Sequence, residues 1–269
     1  STAPALPPLP GAPGGPALPS VEELLADAVA VALPMRVRFR GTDLRHALLL
    51  RGPAGWAEFS PFPEYGPHEC AAWLAAAIEA GWQGWPAPVR QTVPVNATVP
   101  AVAADDVEAV LARYGDGITA VKVKVAEHGP EGGLVPGGRE ADLARVRRVR
   151  ALLPHAQVRV DANAGWTPTE AVDVLTALAD VGLEYAEQPV PGITDLAEVR
   201  AELRARGVPT PIAADEAVRK AEDPLAVAAA GAADLIVVKV QPLGGVRRAA
   251  AITRWPSRTK RRLNAAPNP

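Results

Sequence analysis

Lys122 and Lys124 stand two apart in AVKVKV, and three carboxylates, Asp161 in RVDAN, Glu187 in YAEQP and Asp215 in AADE, each close a short apolar run. At a strand's two-residue period both lysines leave one face, while Val121, Val123 and Val125 leave the other. An isolated KVKV reads as an edge strand guarded by lysines. Inside a closed sheet both ammonium groups would face the interior, where a charge must be paired or put to use. A single carboxylate at a strand end reads as a helix cap or loop anion. Three on successive strand ends, with lysines on the strands either side, form an oxygen ligand set for a hard divalent cation, Mg2+ or in its place Mn2+. Neither His nor Cys occurs at these positions, which argues against a zinc or blue-copper reading. Asn163 and Glu216 sit close enough in sequence to hold the ligands or the lysines in place. Lys239, in IVVKV, falls opposite the first two lysines if the strands are laid around a circle, so an ammonium would flank the substrate on each side. A lysine serves as a general base once its pKa drops toward neutrality, and burial beside a second cation acts in that direction. The chemistry this set suits is removal of a proton alpha to a carboxylate, with cationic groups placed where negative charge then develops.

The elements that must position these groups follow a regular rhythm. From Val93 the chain alternates short β-rich runs with amphipathic ones: VPVNATV, DDVEAVLARY, TAVKVKV, then a helix over Arg139 to Leu153 with Leu143, Val146, Val149 and Leu153 on one side. QVRVDA, LEYAEQP, TPIAADE and ADLIVVKV continue it, separated by helical stretches, to give six strands. Strand and helix repeats with short loops predict a parallel sheet with helices outside it. Polar groups on five successive strand ends converge only in a curled sheet, so a β/α barrel is expected and not a doubly wound one, whose site gathers at one crevice. Upstream, VAVALPMRVRF, HALLLRG and GWAEFSPF read as strands and ECAAWLAAAIEA, Glu69 to Ala80, as a helix, which makes a small α+β domain. The expected division is therefore a Pro/Gly-rich unstructured leader over 1–28, a capping domain over 29–92, a partial barrel over 93–251 and an atypical basic tail over 252–269.

With 269 residues, 48% of them hydrophobic, the chain can bury one sizeable core or one core and a smaller domain. A formal net charge of -2 gives no field for a nucleic-acid partner. There is neither a long apolar run for a membrane nor a secretory signal pattern, and the single Cys70 fits a reducing compartment, so a cytoplasmic protein is expected. Trp56, Trp73, Trp82 and Trp85 are read as packing residues, and His46, His68, His128 and His155 receive no role. Phe59, Ser60, Pro61 and Phe62 are candidates for a cover over the site. HGPEGGLVPGG lacks a phosphate-binding pattern and is read as a mobile loop.

RFRG, GWAEFSPFPEYGPHEC, PVNATVPAV, AVKVKVAE, RVDANAGW, LEYAEQP, PIAADEAVRKAEDPL and VVKVQPLGGVR, in this order and spacing, resemble the enolase superfamily, and within it the o-succinylbenzoate synthases of the menaquinone pathway, especially actinobacterial ones. The resemblance covers about residues 34 to 248. It implies an enolase-type (β/α)7β barrel with an N-terminal α+β cap, whose loops here around Phe39 to Thr42 and Phe59 to Glu64 would contact substrate. It further implies that Lys124 takes the alpha proton and then, as its conjugate acid, helps expel hydroxide in a syn dehydration, while Lys122 tunes it. Asp161, Glu187 and Asp215 would be the Mg2+ ligands, and Lys239 would stabilise the enediolate. The implied substrate is the small carboxylate 2-succinyl-6-hydroxy-2,4-cyclohexadiene-1-carboxylate. An N-succinylamino acid racemase would use the same half-site, because two opposed lysines exchange a proton on either face. The family also implies two further strands after Lys239, where this chain has AAITRWPSRTKRRLNAAPNP, with five basic residues from Thr253 on and no acid. An unclosed barrel would leave the chain inactive, an assembly or binding module only. The oligomeric state has no signature in the sequence.

Overall fold

In a computed structural model of the full chain, described here for residues 6–39, 42–127, 138–218, 223–253 and 264–265, the molecule divides into two compact units. One comprises Ser1–Gln91, Arg219–Ala221 and Val238–Pro256, the other Thr92–Val218, Glu222–Val237 and Ser257–Pro269. The segment Val238–Pro256, read from the sequence as barrel up to residue 251, thus goes with the first unit.

The first unit opens with α1 (Val21–Leu25), inside the stretch read as an unstructured leader. Its cause is local: Ser20 accepts from the Glu23 amide while the Glu23 carboxylate accepts from the Ser20 amide, a complete capping box. β1 (Val29–Phe39), β2 (Thr42–Gly52) and β3 (Gly55–Phe59) form an antiparallel sheet in that order. α2 (Pro67–Ile78) begins with proline at its first turn, where a missing amide is no loss, and continues into a π-helical turn over Glu79–Gln83. Leu50, Ala57, Ala77 and Ala80 are buried between sheet and helix. Trp73 is buried, but Trp56 and Trp85 are 56% and 60% exposed, contrary to their reading as packing residues. Arg45 explains the conformation of the expected cover: its guanidinium donates to the Ser60 carbonyl and to Ser60 Oγ at 3.1 Å, and lies 4.3 Å over the Phe62 ring. Residues 40 and 41 of the other expected substrate loop, and the HGPEGGLVPGG loop up to residue 137, lie outside the described residues.

The second unit alternates as the sequence predicts. It runs β4 (Ala97–Val99), α3 (Val107–Leu111), β5 (Ala120–Lys124), α4 (Gly138–Leu152), β6 (Gln157–Asp161), α5 (Pro168–Ala177), β7 (Tyr185–Glu187), α6 (Ile193–Ala205), β8 (Ile212–Ala214), α7 (Asp223–Ala229) and β9 (Leu235–Val238). In the first unit α8 (Val246–Thr253) follows, and β10 (Asn264–Ala265) comes last. Strands β4 to β9 are parallel neighbours in chain order, with β10 beyond β9. Chain order across the sheet, with no reversal, is the arrangement of a β/α barrel and confirms the α/β class. The register is strict: Val121 lies beside Val158, and Val123 beside Val160 and, on the other side, Val99. These valines and Ala186, Ile212 and Ala214 pack against Val107, Val146, Val149, Leu175, Leu196 and Val199 of the helices in one continuous core. Alternation then sends Lys122, Lys124, Arg159, Asp161, Tyr185 and Glu187 to the opposite face. Among the described residues no helix is long and apolar enough to cross a membrane.

Candidate functional site

The site is laid out by register. Lys124, Asp161 and Glu187 are lateral partners on β5, β6 and β7, the next partner along is Ala213, and Asp215 lies two residues beyond it on the same face. One layer deeper, Lys122 is aligned with Arg159 and Tyr185. β5, β6 and β7 each end on a residue whose side chain faces this surface, Lys124, Asp161 and Glu187, which is why the charged groups gather at one rim.

Asp161 is 1% exposed, Glu187 2% and Asp215 4%, and lysines neutralise part of the cluster. Lys122 Nζ is 3.0 Å from Asp161 Oδ2 and 3.3 Å from Glu187 Oε1. Lys124 Nζ donates to Asp161 Oδ2 and to Asn163 Oδ1, both at 2.6 Å. Asn163 in turn donates through its amide to Asp161 Oδ1 at 3.1 Å and through Nδ2 to Glu216 Oε1 at 3.3 Å. The structure thus joins Lys122, Lys124, Asp161, Glu187, Asn163 and Glu216 in one polar network. Lys239 follows directly on the last residue of β9 and belongs to the other unit.

Burial and charge act on these groups in opposite senses. Burial raises the Asp161 carboxyl, but Lys122 and Lys124 outweigh it and hold the group below the ordinary carboxylate range. Glu187 goes the other way: burial first, then repulsion from Asp161 and Asp215, lift it above that range against the pull of Lys122. Burial would lower Lys122, yet Asp161 and Glu187 more than offset this and keep its ammonium charged. The nearest charges to Lys122 are thus carboxylates.

Among the described residues no three His, Cys, Asp or Glu side chains converge as a bound metal ion requires. The donor set nonetheless fits a hard divalent cation in kind: three buried carboxylates at the ends of neighbouring strands, on one face.

Two supports escaped the sequence reading. Asp142 and Arg145 of α4, 3% exposed each, pair at 2.7 Å; Asp142 accepts from the Ala126 amide at 2.8 Å, and Arg145 donates to the Lys124 carbonyl at 2.8 Å and to the Val102 carbonyl. The available signal was an Asp and an Arg three apart on the helix side that carries Val146 and Val149. Arg159 forms the second, with Glu184 at 2.6 Å, Asn96 at 3.1 Å and the Tyr185 ring 5.2 Å from its guanidinium carbon.

Residues 103–258 match the family described as enolase C-terminal domain-like, and residues 30–81 the one described as enolase N-terminal domain-like. The o-succinylbenzoate synthase of Thermobifida fusca is 53% identical over 221 residues, 82% of this chain and 65% of that protein. The o-succinylbenzoate synthase of Mycolicibacterium smegmatis is 52% identical over 233 residues, 86% of this chain and 68% of the relative. That of Mycobacterium tuberculosis H37Rv is 54% identical, over 85% and 66%. The chain therefore spans about two thirds of the length of these curated relatives. Among solved structures, o-succinylbenzoate synthase from Thermosynechococcus elongatus BP-1, complexed with Mg in the active site, superposes with a TM-score of 0.66 at 21% identity, over 88% of this chain and 82% of that one. The L-Ala-D/L-Glu epimerase of Bacillus subtilis gives 0.64 at 23%, over 84% and 77%. At such identities these two structures speak for the fold alone.

Proposed function

This chain belongs to the enolase superfamily, whose barrel domains present their chemistry at the strand ends, and from that premise we propose that its rim residues carry out the o-succinylbenzoate synthase reaction. The reaction is the syn dehydration of 2-succinyl-6-hydroxy-2,4-cyclohexadiene-1-carboxylate to o-succinylbenzoate and water. The observation that carries the reading is the contact of two lysines, Lys122 and Lys124, with the single oxygen Asp161 Oδ2, in register with Glu187. It is supported by curated synthases 52–54% identical over 82–86% of the chain. A racemase reading has no comparable support, since the similarity to epimerase structures extends only to the fold.

Asp161, Glu187 and Asp215 would hold a divalent cation, Mg2+ or Mn2+, which supplies positive charge to the substrate carboxylate when bound. Lys124 takes the alpha proton on Nζ, leaving the electron pair in an enediolate. The same Nζ then returns that proton to the departing hydroxyl, so the carbon–oxygen bond breaks on the face from which the proton left and water is released. To do so the amine must exchange its hydrogen bonds to Asp161 and Asn163 for the substrate carbon. Lys122, held charged between Asp161 and Glu187, keeps a fixed positive charge beneath the base. Lys239 is taken, on the family resemblance, as the cation that stabilises the enediolate, and Asn163 and Glu216 orient Lys124 and Asp161. A cytoplasmic location is part of the same proposal, in keeping with a small carboxylate substrate.

The test is an Mg2+-dependent dehydration assay on the full chain beside Lys124→Ala. We expect the substitution to lower kcat by at least about 100-fold. An unchanged rate removes Lys124 as the base. Exchange of the alpha proton of an N-succinylamino acid in deuterated water, with no dehydration of the cyclohexadiene acid, would replace the reaction assignment by racemisation.

A further inference from the structure

Gln188 follows Glu187 directly and precedes Pro189, yet its side chain takes no part in the network of lysines and carboxylates. It is fully buried, at 0% exposure, and both ends of its amide are satisfied by backbone. Oε1 accepts from the Asp215 amide at 2.9 Å and from the Ala217 amide at 3.0 Å, and Nε2 donates to the Val190 carbonyl at 2.8 Å. Two N–H donors on one end and a carbonyl on the other fix which amide atom is oxygen. The main chain of Gln188 reaches further strands: its amide donates to the Ala213 carbonyl at 2.7 Å, and its carbonyl accepts from the Ala164 amide at 2.7 Å. Its φ of +36° is outside the range a side-chain-bearing residue prefers, so the contacts must over-determine a strained conformation.

These bonds converge on the ends of β6, β7 and β8. Glu187 is covalently next to the clamp, Asp215 is hydrogen-bonded to it through its own backbone, and Ala164 lies in the turn after Asp161 and Asn163. We propose that Gln188 is the positioning residue that sets the separation of Glu187 and Asp215, and so tunes the affinity of the rim for a divalent cation. The inference rests on the reading of Asp161, Glu187 and Asp215 as cation ligands. A side chain that only filled space would be as well served by an apolar one. An amide is needed because the Asp215 and Ala217 N–H groups point into a dry region and would otherwise lose their acceptor. Without that acceptor, the start of the turn after β8 loses a hydrogen-bonded tie to the end of β7, and Asp215 shifts relative to Glu187.

The experiment is calorimetric titration of the full chain with Mg2+ alone, without substrate, together with thermal melts. Four forms are compared: the unsubstituted chain, Gln188→Leu, Gln188→Asn and Gln188→Glu. Leucine removes the acceptor, asparagine draws it back by one methylene, and glutamate keeps an acceptor oxygen at full reach. We expect leucine and asparagine to weaken Mg2+ binding by at least about 10-fold at temperatures well below their melting points, the range found when a group that orients a metal ligand is lost. Glutamate should bind within about threefold of the unsubstituted chain. A glutamate that is protonated in this dry position keeps the acceptor for the Asp215 and Ala217 amides and offers an O–H to the Val190 carbonyl, so loss of affinity in the glutamate form overturns the proposal. So does unchanged affinity in a folded leucine or asparagine form; the asparagine form decides if leucine fails to fold. If the unsubstituted chain itself takes no Mg2+, it is the assignment of the three ligands that fails.

Discussion

At the scale of single residues, the charged groups of the rim were legible and the groups that hold them were not. Lys122, Lys124, Asp161, Glu187 and Asp215 stand at strand ends where a charge interrupts an apolar run, so period and chemical type together identify them. Gln188 and the Asp142–Arg145 pair carry no such mark. A glutamine beside a glutamate reads as one more polar loop residue, and two charges on a helix read as solvated until burial is known. Their importance is a matter of partners far along the chain, as when Arg145 reaches both the Lys124 and Val102 carbonyls. Since each member of this pair is 3% exposed, removing one leaves the other charge buried alone. Arg145→Met is expected to lower the stability of the chain by about 3–5 kcal/mol, measured by urea denaturation. A loss below about 1 kcal/mol, the worth of an exposed pair, would show that the site is wetter than the structure has it.

At the scale of elements, alternation foretold β4 to β9 and the helices between them, because apolar runs of four to six residues bounded by turns have few other solutions. Ends were harder. VPVNATV yields only a three-residue strand, Ala97–Val99, and ECAAWLAAAIEA starts earlier and passes into a π turn at Glu79. That turn has a tertiary cause invisible to local pattern: the Glu79 carboxylate accepts from the Val246 amide, from the Arg247 amide at 3.0 Å and from the Arg247 guanidinium at 2.9 Å, so it caps α8 from a distant part of the chain. Gly245 stands beside it at a φ of +120°, where a side chain is strained and a Cβ would also crowd the Glu79 carboxylate. Asp234 performs a similar service between α6 and β8, with Arg200 Nε at 2.9 Å and the Ile212 amide at 3.1 Å. Burial works to raise its carboxyl, but these donors prevail and hold it below the ordinary range. A carboxyl lowered in the folded state contributes stability that is fully present above the unfolded value, near about pH 4, and is lost as pH falls through the folded one. Asp234→Ala should therefore be less stable than the unsubstituted chain at about pH 6, with the gap in urea midpoint closing toward about pH 2. A gap that stays constant across this window would exclude the ionised carboxylate as its source.

At the scale of the whole molecule, the two units differ in what holds them. The second has a continuous apolar core between sheet and helices. In the first, a cluster built mostly of alanine lies beneath a sheet whose Val29, Leu33 and Leu44 are 46%, 55% and 39% exposed. Amide hydrogen exchange should therefore show β5, β6 and β7 protected more strongly than β1 and β3. Equal protection would mean that the first unit draws stability from more than its own core. The sequence foretold two units through the change of rhythm at Val93. It did not foretell that Val238–Pro256 goes with the first, because the repeat continues unbroken through LIVVKV and only long-range contacts such as Glu79 with α8 reveal the change. The basic stretch from residue 254 to 263 lies outside the described residues.

The order of the parallel strands has one more consequence, which concerns synthesis. Because β4 to β9 stand side by side in the order in which they are translated, each strand that leaves the ribosome finds its neighbour already made. Lys124, Asp161 and Glu187 can meet on the nascent polypeptide before the codon for Lys239 has been read.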